Sequence, residues 1–364
     1  MLSFLARLGG AALLVTSSTL ACASSSDDDG GVPSTAAPAP TGNAPRACYS
    51  GSRAGCQDIS WSTIEIAIEG AFATLGAERY HGYTKADAKA TARALYDHGT
   101  LPGARLSLFH ARTVDGKTSR VLASVLDAAG RPQAGLAAPA FDVGGSSPSR
   151  VLRLGDATRD DVRLRIATVV DDSGSIGDCD AQFVADGLAH LFEVAPPVYE
   201  AELVKFATDV ETVRPFTSDA AALASTARGS CTDRGATSLW DAVQVGLADL
   251  RASTDDHVPI LVVFSDGLDN DSRASFADVA AAAAAGRVPT LVAGLGSADP
   301  FALGDLARVT GGAFVYAPSG DRALDLFRTL TSVLVEAYVV DVPPGAATLT
   351  VRLPDGQTLT ADIP

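Results

Sequence analysis

Between Ile166 and Asp180 the chain reads IATVVDDSGSIGDCD. An apolar run stops at two aspartates, and Asp171, Ser173 and Ser175 follow at alternate positions. Two further segments carry the same functional groups. Gly235-Ala236-Thr237-Ser238-Leu239-Trp240-Asp241 leads into a helical pattern, and Ser265-Asp266-Gly267 comes directly after PILVVF, Pro259–Phe264. The groups are carboxylate and hydroxyl oxygens, with no His or thiolate among them. Hard donors of this kind suit Mg2+, Mn2+ or Ca2+ rather than zinc. Taken alone, Asp-Asp-Ser-Gly reads equally well as a polar turn that starts a helix. Asp172, Asp269 and Asp271 read as an acidic rim, Trp240 as a core residue, and His190 and His257 as surface histidines.

Oxygens so far apart in sequence meet only if the elements between them bring three loops together. From Ile166 the rhythm is strand, helix, strand, helix. IATVV, PILVVF and PTLVAG (Pro289–Gly294) are short continuous apolar runs, as expected of strands covered on both faces. Val184, Leu188, Leu191 and Phe192 share one helical face, as do Leu239, Val243, Leu247 and Leu250. Ser275 to Asp278 reads as a capping box for an Ala-rich helix ending near Gly286. Leu326, Phe327, Leu330, Val333 and Leu334 form the stripe of a last helix. Alternating βα units imply an α/β fold with a doubly wound, mostly parallel sheet. In such sheets ligands bind at the carboxyl ends of strands, where all three polar segments fall.

At these residues the chain resembles the von Willebrand factor A domain family. Its metal-ion-dependent adhesion site is D-x-S-x-S, a distant Thr and a distant Asp. Here these are Asp171, Ser173 and Ser175, then Thr237 in GATSLWDA, then Asp266 in FSDGLDN. FATDVETVRPFTSD and VAGLGSADPFALGDLARVTGGAFVYAPS are also similar to family sequences. The resemblance spans about 165 to 336. It implies a Rossmann-like fold in which Ser173, Ser175 and Thr237 offer hydroxyl oxygens to Mg2+ (or Mn2+ or Ca2+). Asp171 and Asp266 would supply negative charge directly or through water. It also implies a protein ligand that contributes an acidic residue to the metal. No GxSxG elbow, P-loop or HExxH occurs, and no base is placed to activate Ser173 or Ser175. The chain therefore reads as a binding protein and not an enzyme; a metal-independent envelope scaffold and, further off, a hydrolase are the alternatives.

The flanks change period. Thr84 before KADAKATARALYDHG reads as an N-capped helix ending at Gly99, within an uncertain helical segment over 58–103. TIEIAIEGAFATLG in that segment has both helix and strand character. ARLSLFHA, VLASVLDA, VLRL and VRLRIATVV alternate about every two residues over 104–164, with Gly130-Arg131-Pro132 as a turn. After the α/β domain of 165–335, TLTVRLPDGQTLTADI in 336–364 alternates again, with Leu349, Val351 and Leu353 on one face and a turn at Pro354-Asp355-Gly356. The two β segments are expected to form one sandwich, with the α/β domain inserted between neighbouring strand ends.

The N-terminus reads as an export signal over 1–22. Arg7 precedes an apolar run from Leu8 to Leu20, too short to span a bilayer. Ala21-Cys22-Ala23 fits small-x-small cleavage, and Thr19-Leu20-Ala21-Cys22 resembles a bacterial lipoprotein box, with Thr19 where the box prefers Leu. The second reading makes Cys22 a lipidation site on a cell-envelope protein, and the first makes the protein secreted. Residues 23–57, rich in Ser, Asp, Pro and Gly, read as a disordered tether. Without Cys22 four of the five cysteines remain: Cys48, Cys56, Cys179 and Cys231. Three disulfide pairings are open, and nearness in sequence favours Cys48–Cys56 with Cys179–Cys231. The 364 residues carry a net charge of -15, which supplies no basic face for a nucleic-acid backbone. Membrane contact is expected only through the N-terminal anchor.

Overall fold

A computed structural model describes residues 59–76, 78–113, 119–176, 178–195, 198–229, 235–252, 257–266 and 269–363. The export signal, the tether, Cys22, Cys48, Cys56, Cys231 and the side chain of Cys179 lie outside the described residues, and so do both expected disulfides.

The first described elements are two capped helices. Ser60 accepts from the Thr63 N–H to start α1 (Trp61–Leu75), and Thr84 accepts from the Asp87 N–H to start α2 (Lys85–His98). Gly76 and Gly99 end them in the left-handed conformation that glycine adopts without strain. The ambiguous TIEIAIEGAFATLG is thus helix: Ile64, Ile68 and Phe72, four residues apart, fall on one buried face. A two-residue hairpin, β1 (Arg79–Tyr80) with β2 (Tyr83–Thr84), joins the pair.

The next strands are β3 (Arg105–Thr113), β4 (Ser119–Leu126), β5 (Phe141–Asp142) and β6 (Arg150–Arg153). The α/β region then runs β7 (Leu164–Asp171), α3 (Asp178–Val194), β8 (Tyr199–Phe206), β9 (Val210–Thr217), α4 (Ala220–Gly229), α5 (Leu239–Arg251) and β10 (Val258–Ser265). It continues with α6 (Phe276–Ala285), β11 (Thr290–Leu295), α7 (Pro300–Val309), β12 (Phe314–Ala317) and α8 (Ala323–Val335). Three strands follow: β13 (Tyr338–Val342), β14 (Thr348–Arg352) and β15 (Thr358–Asp362).

The central sheet has the order β12-β11-β10-β7-β8-β9. All neighbours are parallel except β8 and β9. Its strand order reverses between β7 and β10, the place where doubly wound sheets open a crevice at their carboxyl ends. One face is covered by α3, α4 and α8, through Val184, Leu188, Phe192, Leu223, Phe327 and Leu330. The other is covered by α5, α6 and α7, through Val243, Leu247, Val279, Phe301 and Leu306. Ile64, Ile68, Ala92 and Leu95 of α1 and α2 join this second layer, and the Gly99 carbonyl accepts from the Tyr316 N–H of β12. The N-terminal helices therefore share the core of the α/β region.

The flanking strands form two antiparallel sheets, β3-β4-β13-β6 and β15-β14-β5. Each takes strands from before and from after the α/β region. Val121, Ala123, Phe141, Tyr338, Val340, Leu349 and Val351 fill one core between them. The fold is α/β, with a sandwich built from both flanking segments. One boundary differs from the sequence pattern. VRLRIATVV alternates like a sandwich strand at its start, yet β7 pairs only with β10 and β8. Arg165 produces that alternation at the amino end of the parallel sheet, where its guanidinium pairs with Glu200 and lies over the Phe216 ring. No helix among the described residues is long and apolar enough to cross a membrane.

Candidate metal centre

Asp171 is the last residue of β7, and Ser265 is the last of β10, its parallel neighbour. The Ser265 hydroxyl donates to Asp171 Oδ2 at 2.6 Å, and the Ser173 N–H donates to Asp171 Oδ1 at 2.9 Å. Both carboxylate oxygens are thereby fixed. Ser173 Oγ and Ser175 Oγ lie 3.0 Å apart, and Ser175 donates to Asp266 Oδ1 at 2.8 Å. The Asp266 carbonyl in turn accepts from the Ser297 hydroxyl at 2.9 Å. Two carboxylates and two hydroxyls from loops about ninety positions apart thus form one cluster at the switch point of the sheet.

Thr237 reaches the same end of the sheet through its backbone. The Gly235 carbonyl accepts from the Gly174 N–H at 3.0 Å, tying its loop to the D-x-S-x-S loop. Asn270 brackets Thr237, its Oδ1 accepting from the Thr237 N–H at 2.9 Å and its own N–H donating to the Thr237 carbonyl at 3.0 Å. Ser238 donates its N–H to Ala207 and its hydroxyl to Thr208, which pins the loop to the turn after β8.

Asp171, Ser173, Thr237 and Asp266 are all buried, whereas Gly174 and Ser175 are exposed. The cluster opens to solvent on that side. Burial pushes the Asp171 carboxyl above its ordinary range; hydrogen bonds from Ser173 and Ser265 partly offset this, and the nearby Asp172 charge adds to it. A buried carboxylate penalised in this way is what a cation would relieve. A hydroxyl that donates to Asp266 keeps its lone pairs for another electrophile. The donor set is all oxygen and fits a hard divalent ion. No group of three or more His, Cys, Asp or Glu side chains suited to a metal occurs among the described residues. Hydroxyls would therefore have to complete any coordination by Asp171 and Asp266.

Three placements differ from the sequence reading. Asp172 is not on a rim: it is 2% exposed, with Oδ2 3.8 Å from the equally buried Lys205 ammonium. The sequence offers no local sign of this, because Lys205 arrives from the neighbouring strand. Ser265, read only as part of the third polar segment, anchors Asp171. His257 is largely buried, with Nδ1 lacking a hydrogen-bond partner and Nε2 4.0 Å from Glu200. It belongs to a second polar cluster, at the opposite end of the sheet. There Glu202 of β8 is 2% exposed and its Oε1 has no partner. Burial pushes its carboxyl up to about 8, with Asp249 adding to the shift and Arg165 opposing it. Trp240 is buried as expected and meets the Phe276 ring edge-on at 5.5 Å between centroids.

A six-stranded doubly wound sheet with one antiparallel edge and an all-oxygen cluster at its switch point defines the class of the central unit. Residues 166–329 match the model of the von Willebrand factor type A domain. Among solved structures, the chain is similar to proximal thread matrix protein 1 from the mussel byssus, solved with a zinc-occupied MIDAS motif. Identity is 16% and the TM-score 0.43, over 47% of this chain and 48% of that one, so the match spans about half of the mussel protein. It is similar to a von Willebrand factor type A protein from Catenulispora acidiphila, at 12% identity and TM-score 0.42, over 73% and 74% of the two chains. It is also similar to manganese-loaded TRAP protein from Plasmodium vivax, at 16% identity and TM-score 0.39, over 56% and 82%. No curated protein matches.

Proposed function

We propose that this is an exported, lipid-anchored protein of the cell envelope that captures a protein ligand through a divalent cation. Asp171, Ser173, Ser175, Thr237 and Asp266 would hold the ion, and Cys22 would carry the lipid. The observation that carries the reading is the Ser173–Ser175–Asp266 cluster, set beside the doubly fixed Asp171 carboxylate at the switch point. When bound, Mg2+ or Mn2+ supplies a coordination position that an acidic side chain of the ligand can take. The chain's own part is positional. Ser265 and the Ser173 N–H keep Asp171 aimed, Asn270 holds the Thr237 backbone, and exposed Ser175 leaves the site open on one side. The acidic chain is suited to soluble display away from a membrane surface.

The test is capture of envelope proteins by the immobilised chain in Mg2+ and in EDTA, with Asp266→Ala as a second control. The expected result is a ligand retained in Mg2+ and released by EDTA, and not retained by Asp266→Ala. A ligand that survives both treatments would support the scaffold reading instead.

A further inference from the structure

Lys205 ranks among the largest fully buried side chains of the described residues. It stands at the carboxyl end of β8, opposite Val170 in parallel register, so it lies one step below the Asp171 level of the sheet. Its ammonium lies 3.8 Å from Asp172 Oδ2. Asp172 sits between Asp171 and Ser173 in sequence and is held in place by its N–H, which donates to the Phe206 carbonyl at 2.8 Å. A buried ion pair is poor value for folding alone, since apolar residues of similar size commonly serve as well. Asp171, Ser173, Ser175 and Asp266 are, moreover, fixed by bonds in which neither member of the pair takes part. What the pair adds is one buried positive and one buried negative charge beside the cation site, and charges buried to this degree are only weakly screened.

We infer that Asp172 and Lys205 are a charge-setting pair for the candidate cation site. Lys205 cancels Asp172, so that two carboxylates, Asp171 and Asp266, face the doubly charged ion. Losing the cation leaves an extra negative charge and tightens divalent binding. Losing the carboxylate leaves a buried ammonium and weakens it. The two act as positioning residues, through the charge they place beside the site. This inference rests on the metal reading proposed above.

The test is calorimetric titration of the full chain with MnCl2, for wild type, Lys205→Gln, Asp172→Asn and the double variant. Near-ultraviolet circular dichroism checks that each is folded. Lys205→Gln is expected to lower Kd about tenfold and Asp172→Asn to raise it about tenfold, while the double variant returns to within about threefold of wild type. Shifts of opposite sign that cancel are a signature that loss of structure does not produce. Equal weakening by both single variants, or no change in either, overturns the inference. Should one single variant fail to fold, the other carries the test: a shift of the expected sign supports the pair's role, and no shift or a shift of the opposite sign overturns it. A wild-type chain that does not bind Mn2+ refutes the metal reading itself, a result distinct from any of these.

Discussion

The Ser175 hydroxyl donates to Asp266 Oδ1 at 2.8 Å, joining the loop after β7 to the loop after β10. With its proton on Asp266, Ser175 can accept from Ser173 Oγ, 3.0 Å away, and still keep one lone pair, so one side chain can steady a carboxylate and face a cation together. Removing the carboxylate should cost little in the absence of metal, because Ser175 is exposed and water can replace the lost acceptor. Wild type should gain about 2–3 kcal/mol of stability at Mn2+ concentrations near a hundred times Kd. Asp266→Ala should lose that gain while its melting temperature in EDTA stays close to wild type. Thermal melts with and without MnCl2 check this; a Mn2+ response that persists in Asp266→Ala would remove Asp266 from the ligand set.

The same residues show how much of the site could be read from the sequence. That Asp171, Ser173, Ser175, Thr237 and Asp266 gather at one end of the sheet was legible, because apolar runs mark the strands, polar segments follow them, and the motif resemblance picks out these five. The Asp172–Lys205 pair was not, because side-chain alternation says which face a residue takes but not what the neighbouring strand brings to it. That depends on parallel register, here Val170 opposite Lys205. β9 was missed for a different reason. VETVRPFT has charges and Pro215 where a central strand would have apolar residues. It is tolerated because β9 is an edge strand, where an unpaired position costs nothing. His257 looked like a surface residue because nothing in its neighbourhood predicts Glu200 beside it. Helix faces were fully legible: each residue assigned to the stripes of α3, α5 and α8 is buried.

Gly187 of α3 faces Phe327 of α8, and a Cβ there would lie 2.1 Å from Phe327 Cδ2. The ring cannot easily retreat, since it is fully buried and stacked on Phe264 with centroids 5.6 Å apart. Two effects oppose each other in Gly187→Ala. Helix propensity favours alanine by up to about 1 kcal/mol. Overpacking a tight core costs about 1–3 kcal/mol, and a contact this short lies at the upper end. Overpacking should win, giving a net loss of about 1–2 kcal/mol, measured as a lower urea midpoint with unchanged slope. A gain in stability would show that α3 and α8 can move apart freely.

Glu202 gives the fold a pH dependence of unusual sign. Its carboxyl is pushed up to about 8, first by burial and then by Asp249, with Arg165 pulling the other way. In the unfolded chain it titrates near the ordinary glutamate value of about 4.3. Between those two values the folded state holds a proton that the unfolded state has released, so stability must fall as pH rises. The contribution is complete below about pH 4, is lost progressively up to about pH 8, and is constant above that. Ionising Glu202 in place, beside Asp249 and with Oε1 unpartnered, should cost up to about 5 kcal/mol over that window. Glu202→Gln keeps the shape and stays neutral. Its unfolding free energy should therefore lose this downward slope and exceed that of wild type at pH 8.5. Urea denaturation of both proteins at pH 5.5 and 8.5 isolates the effect, because every other titrating group is common to the two. Parallel pH profiles would mean that Glu202 is already ionised at neutral pH and that Arg165 outweighs the burial.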